Sequence, residues 1–394
     1  MSEAHLPAPA GGEDAIPAAL EHVALVLQGG GALGAYQAGV YAALAEAEVE
    51  VDWICGISIG AINAALIVGN PPERRVERLR QFWQMITEPP IQIPGLPQFA
   101  DLPWGLTDEA RSWTQRMSAF TNMVYGAPNF FTPRPLPPWN MQAESPAGVS
   151  FYDTTPLRAT LEKLVDFDRI NAKPIRISVG ATNVKTGAPV FFDNLERNIT
   201  AAHIMASGAL PPSFPPVEID GEYFWDGGVV SNSAMQHVVD SQPRYSALAF
   251  QVDLWDADGE VPRDITGANL RATEIHGASR INMSVEEFRE LQHMRMALRR
   301  LLDEVPEEHR NKPEILKLAE EARLQVATVV LLKYQARKHE GASKVFDFSR
   351  ASMEIHWQAG YEDAQIALNE PELFEAPDVY KAARVFDVHR GWIG

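Results

Sequence analysis

Three short stretches of this 394-residue chain set glycine beside groups that could carry out acyl transfer. The first is Gly29-Gly30-Gly31-Ala32-Leu33-Gly34. Glycines after an apolar run let the backbone turn tightly and aim N–H groups at an anion near a helix N-terminus. That geometry serves a dinucleotide pyrophosphate, whose Gly-x-Gly-x-x-Gly spacing is met by Gly29, Gly31 and Gly34, or it serves an oxyanion hole. The second stretch is Gly56-Ile57-Ser58-Ile59-Gly60, a serine between small residues where an apolar run ends and helix-like sequence begins. A nucleophile elbow needs that context, because the serine must occupy a sharp strand-to-helix turn. The third is Asp226-Gly227-Gly228. A serine nucleophile needs a base, and an aspartate on a glycine turn can approach it without crowding. Taken alone, Asp-Gly is an ordinary turn; alongside the other two stretches, Asp226 reads as the base.

The elements that must position these groups follow from patterning. His22 to Gln28 and Val51 to Ile57 are short apolar runs that read as buried strands, and Ala32 to Glu48 and Ala61 to Val68 read as helices. Strand, glycine turn, helix, strand, turn, helix predicts a parallel sheet with crossover helices. This placement separates the two uses of the glycine loop. A dinucleotide fold would present an acid at the end of the second strand, whereas Glu50 and Asp52 stand at its start. Further strands are expected at Ile175 to Val184, Val190 to Asp193, Glu222 to Trp225 and Ala247 to Leu254. Residues 89–150 are dense in proline and aromatics, among them Trp104, Trp113, Phe130, Phe131 and Trp139. Such a stretch reads either as a lid or substrate-facing insertion, or as a surface excursion with its own small core. Val285 to Glu340 reads as helical, with a hairpin near Pro306 and Pro313, and a further helix is expected around Tyr361 to Leu368. The apolar run Val326 to Leu332 lies within that C-terminal stretch. It is read either as an oligomer or partner surface or as a segment packed on the catalytic domain.

The ordered set of glycine loop, Gly-x-Ser-x-Gly elbow and late Asp-Gly-Gly resembles the patatin-like phospholipase family. So does Ala206-Ser207-Gly208-Ala209-Leu210-Pro211-Pro212-Ser213-Phe214-Pro215, which is similar to the family's segment between elbow and aspartate. The resemblance runs from about Val23 to Asp240. It implies a three-layer α/β/α fold with a mainly parallel central sheet, here joined to a mostly helical C-terminal region. It also implies a Ser-Asp dyad with no cofactor and no metal. Ser58 would be the nucleophile and Asp226 the proton acceptor. Gly29, Gly30 and Gly31, with the Ile59 N–H, would form the oxyanion hole, and Gly34, Gly56, Gly60, Gly227 and Gly228 would complete the motifs. The expected layout is a tail over 1–20, a catalytic domain over 21–270 containing the 89–150 insertion, and a C-terminal extension over 271–394. Two departures stand out: Leu33 where the family often has Arg or Lys, and Asn232-Ser233-Ala234 where it often has Asn-x-Pro. The first bears on any phosphate or head-group contact from that position. The implied activity is hydrolysis of phospholipid or lysophospholipid acyl esters. The alternatives are an esterase or thioesterase for another acyl compound, such as a storage polyester, or a non-catalytic scaffold keeping the fold.

Composition narrows the partners. The formal net charge of −18 opposes general nucleic-acid binding and broad adhesion to anionic lipid. The clusters Arg74/Arg75/Arg78/Arg80 and Arg295/Arg299/Arg300 lie in helical sequence and read as solvated faces. A single cysteine, Cys55, rules out an intrachain disulfide and cysteine-rich metal sites. The N-terminus lacks the pattern of a secretory signal, and no stretch reaches the ~18 apolar residues of a membrane helix. The expectation is a soluble cytoplasmic protein, peripheral at most to the inner membrane face. Its partners would be a lipid or acyl-ester substrate and, through the C-terminal helices, a second copy. His203 and His237 flank the family segments and are the candidates for a histidine-dependent triad.

Overall fold

The computed structural model describes residues 22–90, 108–135, 145–231, 234–240, 246–256, 265–322, 327–337, 344–375 and 383–393, with a few residues between. Residues 1–19 of the expected N-terminal tail, Trp104, Trp139 and the Asn232-Ser233 pair lie outside the described residues. The described elements begin with β1 (His22–Leu27), α1 (Gly34–Glu46), β2 (Trp53–Ile57), α2 (Ile59–Val68) and α3 (Pro72–Ile86). The insertion carries α4 (Asp108–Tyr125) and β3 (Thr132–Pro133), which pairs with β4 (Tyr152–Asp153) just beyond it. Then come α5 (Thr155–Leu164), α6 (Phe167–Asn171), β5 (Arg176–Asn183), β6 (Pro189–Asp193), α7 (Ala201–Ser207), β7 (Val217–Ile219), β8 (Glu222–Asp226), α8 (Met235–Asp240) and β9 (Ala247–Asp253). The C-terminal part is α9 (Ile265–Asp303), α10 (Glu307–Arg310), α11 (Pro313–Glu321), β10 (Ala327–Lys333), α12 (Arg350–Leu368), β11 (Ala383–Asp387) and β12 (Gly391–Ile393).

One ten-stranded sheet organises the molecule, in the order β12-β11-β10-β9-β1-β2-β5-β8-β7, with β6 also on β5. From β11 through β5 the pairings are parallel. Alternate residues of β1 and β2 face opposite layers, as the period of a strand requires. Leu25, Leu27 and Ile54 join the larger core with α1, α2 and α3, whereas Ala24, Val26, Cys55 and Ile57 join Met235 and Val238 of α8 on the other face. The result is the expected three-layer α/β/α arrangement.

The C-terminal region is mostly helical, but the apolar run within it is not. Ala327–Lys333 is β10, parallel to both β9 and β11 inside the sheet. Val329, Val330, Leu331 and Leu332 are buried there, so this run serves the fold and offers no surface to a partner. The physical reason is burial on both faces, which removes the alternation that marks a half-exposed strand.

Candidate active site

The carboxyl ends of β1 and β2 are adjacent, because Leu27 pairs with Gly56. The glycine loop and the serine turn therefore leave the sheet side by side. Ser58 has φ 57° and ψ −124°, a backbone region that costs a non-glycine residue energy and that a sharp elbow imposes. α2 starts at Ile59, so the first-turn N–H groups of Ile59 and Gly60 have no intrahelical acceptor and face the same end as Ser58. Gly60 packs directly on the Leu27 carbonyl, leaving no room for a side chain. Gly34 is equally close to the Ile59 side chain, which seats the glycine loop against the elbow.

Strand register explains how Asp226, far away in sequence, reaches Ser58. β6 pairs with β5 from Ser178 to Thr182, and both β2 and β8 pair with parts of the same stretch. β2 and β8 therefore share the edge of β5 opposite β6. β2 uses that edge as far as Ile57↔Gly180, and β8 takes over at Asp226↔Ala181 while running the other way. The two strands meet end to end, with Ser58 leaving one and Asp226 closing the other. Gly227 lies within 2.7 Å, at a Cβ position, of the Gly180 carbonyl at this junction.

Asp226 is 2% exposed, and its carboxyl meets the Ser58 hydroxyl and the Gly228 N–H, the latter at 2.7 Å. Burial raises its pKa from 3.8 to about 6, and the hydrogen bonds from Ser58 and Gly228 act in the opposite direction. The value suits a base acting near neutral pH better than an ordinary aspartate would.

Two supports were not assigned roles by the motifs. The Ser58 N–H donates to Ser207 Oγ at 2.9 Å, and the Ser207 hydroxyl donates to the Gly180 carbonyl at 2.6 Å. The Asp226 N–H donates to the Ala209 carbonyl at 3.0 Å, and Thr182 Oγ1 donates to the Asp226 carbonyl at 3.0 Å. The segment Ala206–Pro215 thus ties both ends of the junction; its sequence pattern marked it, but only the fold gives the contacts. Behind the glycine loop runs a buried polar chain. Trp83 Nε1 donates to Asn63 Oδ1, Asn63 Nδ2 donates to Gln37 Oε1, and Gln37 Nε2 donates to the Gln28 carbonyl at 2.6 Å.

The two histidines have other work. His203 Nδ1 accepts from the Thr200 N–H at 3.1 Å at the start of α7, and burial lowers its pKa. His237 stacks on Phe191 at 4.0 Å between ring centres, beside Trp53. Leu33 is fully buried, so no charge stands at that position of the loop. Cys55 is also fully buried, and desolvation pushes its thiol far above the usual range, which makes it inert as a nucleophile. Among the described residues there is no group of three or more His, Cys, Asp or Glu side chains suited to a metal ion.

A serine on a strained strand-to-helix turn stands beside a buried aspartate at the carboxyl edge of a largely parallel sheet, which places the molecule in the α/β class. Comparison with known families specifies it further: the patatin-like phospholipase model matches residues 25–238, just over half of the chain, and a second patatin phospholipase model matches 275–379. The chain belongs to the patatin-like phospholipase family.

A putative patatin-like phospholipase domain-containing protein, M110.7 of Caenorhabditis elegans, is 41% identical over 61 residues, which is 16% of this chain and 6% of that protein. The crystal structure of VipD from Legionella pneumophila aligns over 88% of this chain and 66% of its own, at 14% identity and a TM-score of 0.33. Full-length ExoU of Pseudomonas aeruginosa, solved in complex with SpcU, aligns over 90% of this chain and 72% of its own, at 16% identity and a TM-score of 0.24. Both TM-scores are below 0.5, so neither superposition bears on the fold.

Proposed function

We propose that this protein hydrolyses lipid acyl esters through a Ser58–Asp226 dyad and an acyl-enzyme intermediate. The observation that carries the reading is the end-to-end meeting of β2 and β8, which sets a buried carboxylate of raised pKa against the hydroxyl of a strained serine. Asp226 accepts the Ser58 hydroxyl proton as Oγ attacks the ester carbonyl. The N–H groups of Gly29, Gly30, Gly31 and Ile59 receive the oxyanion. The tetrahedral species collapses, the alcohol leaves with the proton from Asp226, and the acyl group remains on Ser58. Water then attacks the acyl-enzyme, giving up a proton to Asp226; as the acyl–Oγ bond breaks, Asp226 returns that proton to Ser58 Oγ and the carboxylic acid leaves.

The lipid class follows from family membership and from the insertion. Helix α4 exposes Trp113, Phe120, Met123, Val124 and Tyr125, an apolar set suited to resting at a membrane interface. No described helix is long and apolar enough to cross a membrane, so any membrane contact through the described helices would be peripheral. A second reading is favoured by Leu33. With a buried leucine in place of a cation, the loop carries no side chain to hold a phosphate head group, which suits an uncharged ester equally well. Hydrolysis of a panel of phosphatidylcholine, lysophosphatidylcholine, triacylglycerol and short p-nitrophenyl esters by wild type, Ser58→Ala and Asp226→Ala tests both. The dyad reading expects every activity to vanish in the variants, and it fails if either variant retains wild-type rates. Preference for phospholipid over uncharged esters favours the first reading, and the reverse favours the second.

A further inference from the structure

The carbonyl side of the glycine loop is held from outside the matched catalytic segment. Trp255 Nε1 donates to the Gly29 carbonyl at 2.9 Å. Gln28, fully buried, accepts the Leu254 N–H at 2.7 Å and donates to the Gly277 carbonyl at 3.2 Å. The Val345 carbonyl lies 2.5 Å from where a Gly31 Cβ would stand, and Gly31 itself has φ +58°, so only glycine fits beneath that strap. The strap is anchored by Lys344, whose Nζ pairs with Glu274 at 2.7 Å and sits 5.9 Å over the Trp255 ring. Trp255 lies beyond residue 238, where the first family match ends, and Gly277, Lys344 and Val345 fall within the second.

Peptide geometry turns this clamp into a statement about catalysis. A trans peptide is planar, with its C=O and N–H pointing in opposite directions. Fixing the Gly29 carbonyl on the Trp255 indole therefore fixes the direction of the Gly30 N–H. In the same way, the Gln37 amide on the Gln28 carbonyl fixes the direction of the Gly29 N–H. Oxyanion donors contribute through preorganisation, and that requires their direction to be set before the charge develops.

We propose that Trp255 is a positioning residue for the oxyanion loop, and that the C-terminal region, through the Lys344–Val345 strap, keeps the indole and the loop in register. The inference rests on the reading of the glycine loop as the oxyanion hole.

The test uses the full chain and two variants. Trp255→Phe keeps an aromatic ring and removes the N–H donor; Lys344→Met keeps the aliphatic stem and removes the pair with Glu274. Four quantities are read for each: kcat and KM on p-nitrophenyl butyrate, the inhibition constant of butylboronic acid, which forms a tetrahedral adduct on an active serine, and the melting temperature. A lost donor costs about 10²–10³ in rate, so a misdirected one should cost less. Trp255→Phe is expected to lower kcat about tenfold, to weaken the boronate in proportion, and to leave KM within about twofold. Lys344→Met should move the same quantities in the same direction by a smaller factor, and it carries the test if Trp255→Phe does not fold. Folded variants with wild-type kcat and boronate binding overturn the inference, as does a fall in kcat with boronate binding unchanged. A fully active Ser58→Ala control would instead remove the dyad reading beneath it, so the two failures are told apart.

Discussion

Two buried aspartates stand at the same carboxyl edge of one sheet, and under the proposed mechanism the difference between them is what a catalytic base requires beyond burial. Asp226 closes β8 and Asp253 closes β9. Desolvation raises both, Asp226 to about 6 and Asp253 to about 7. Their companions differ. Asp226 receives the hydroxyl of a serine on a strained turn. Asp253 receives the Gln251 amide on both oxygens at 3.1 Å, and Lys333 nearby is paired with Asp387 at 3.0 Å. A raised pKa marks a carboxyl taken out of water; a nucleophile lying on it is what gives that pKa a use. On the proposed mechanism the β1–β2–β8 end of the edge is the reaction site, and the β9–β10–β11 end is a structural polar cluster.

The comparison breaks most visibly at its two principals. Ser58→Ala and Asp226→Asn should each lower kcat on a short ester by on the order of 10⁴ or more, with the fold intact by circular dichroism. Asp253→Asn should leave kcat within about twofold; a loss as deep as that of Asp226→Asn would erase the distinction. A stability measurement sharpens the same contrast. An aspartate whose folded pKa exceeds its unfolded value binds more protons when folded, so stability declines as pH rises from 3.8 to about 6 for Asp226 and from 3.8 to about 7 for Asp253. At pH 8 both asparagine variants should therefore melt at or above the wild-type temperature in calorimetry, although only one has lost activity.

Smaller effects are expected from the supports. Ser207→Ala removes the acceptor of the Ser58 N–H and should lower kcat about tenfold, with a stability loss of about 1–3 kcal/mol from the groups left unpaired. Smallest on soluble substrate is the α4 pair Trp113→Ala with Phe120→Ala. It should weaken sedimentation with phosphatidylcholine vesicles while leaving p-nitrophenyl butyrate hydrolysis within about twofold. Unchanged vesicle binding would separate α4 from the membrane.

How much could be read in the chain follows from how far its signals travel. Ser58, Asp226 and the glycines announce themselves because an elbow and a tight turn demand particular residues over five or six positions. The strands β1, β2, β5 and β9 are legible as short apolar runs bounded by turn residues. β10 was obscured because a seven-residue apolar run amid helical sequence has no period that separates strand from helix; its Thr328-Val329-Val330 stretch was the available cue. The α4 helix was hidden inside a stretch whose prolines and aromatics suggested irregular structure. Ser207, Gln28, Gln37 and Trp255 could not be assigned roles, since each acts on a backbone group brought to it only by tertiary register. The same holds for the meeting of β2 and β8, which depends on two strands dividing one edge of β5 between them.

The central claim is that Ser58 reacts because Asp226 takes its proton. The rate of fluorophosphonate labelling as a function of pH, with the modified residue located by mass spectrometry, tests it most directly. A single adduct on Ser58 is expected, with a rate that falls about tenfold per pH unit below an apparent pKa of about 6 and near-complete loss in Asp226→Asn. Labelling elsewhere, or labelling of Ser58 that is flat with pH and unaffected by Asp226→Asn, would contradict it.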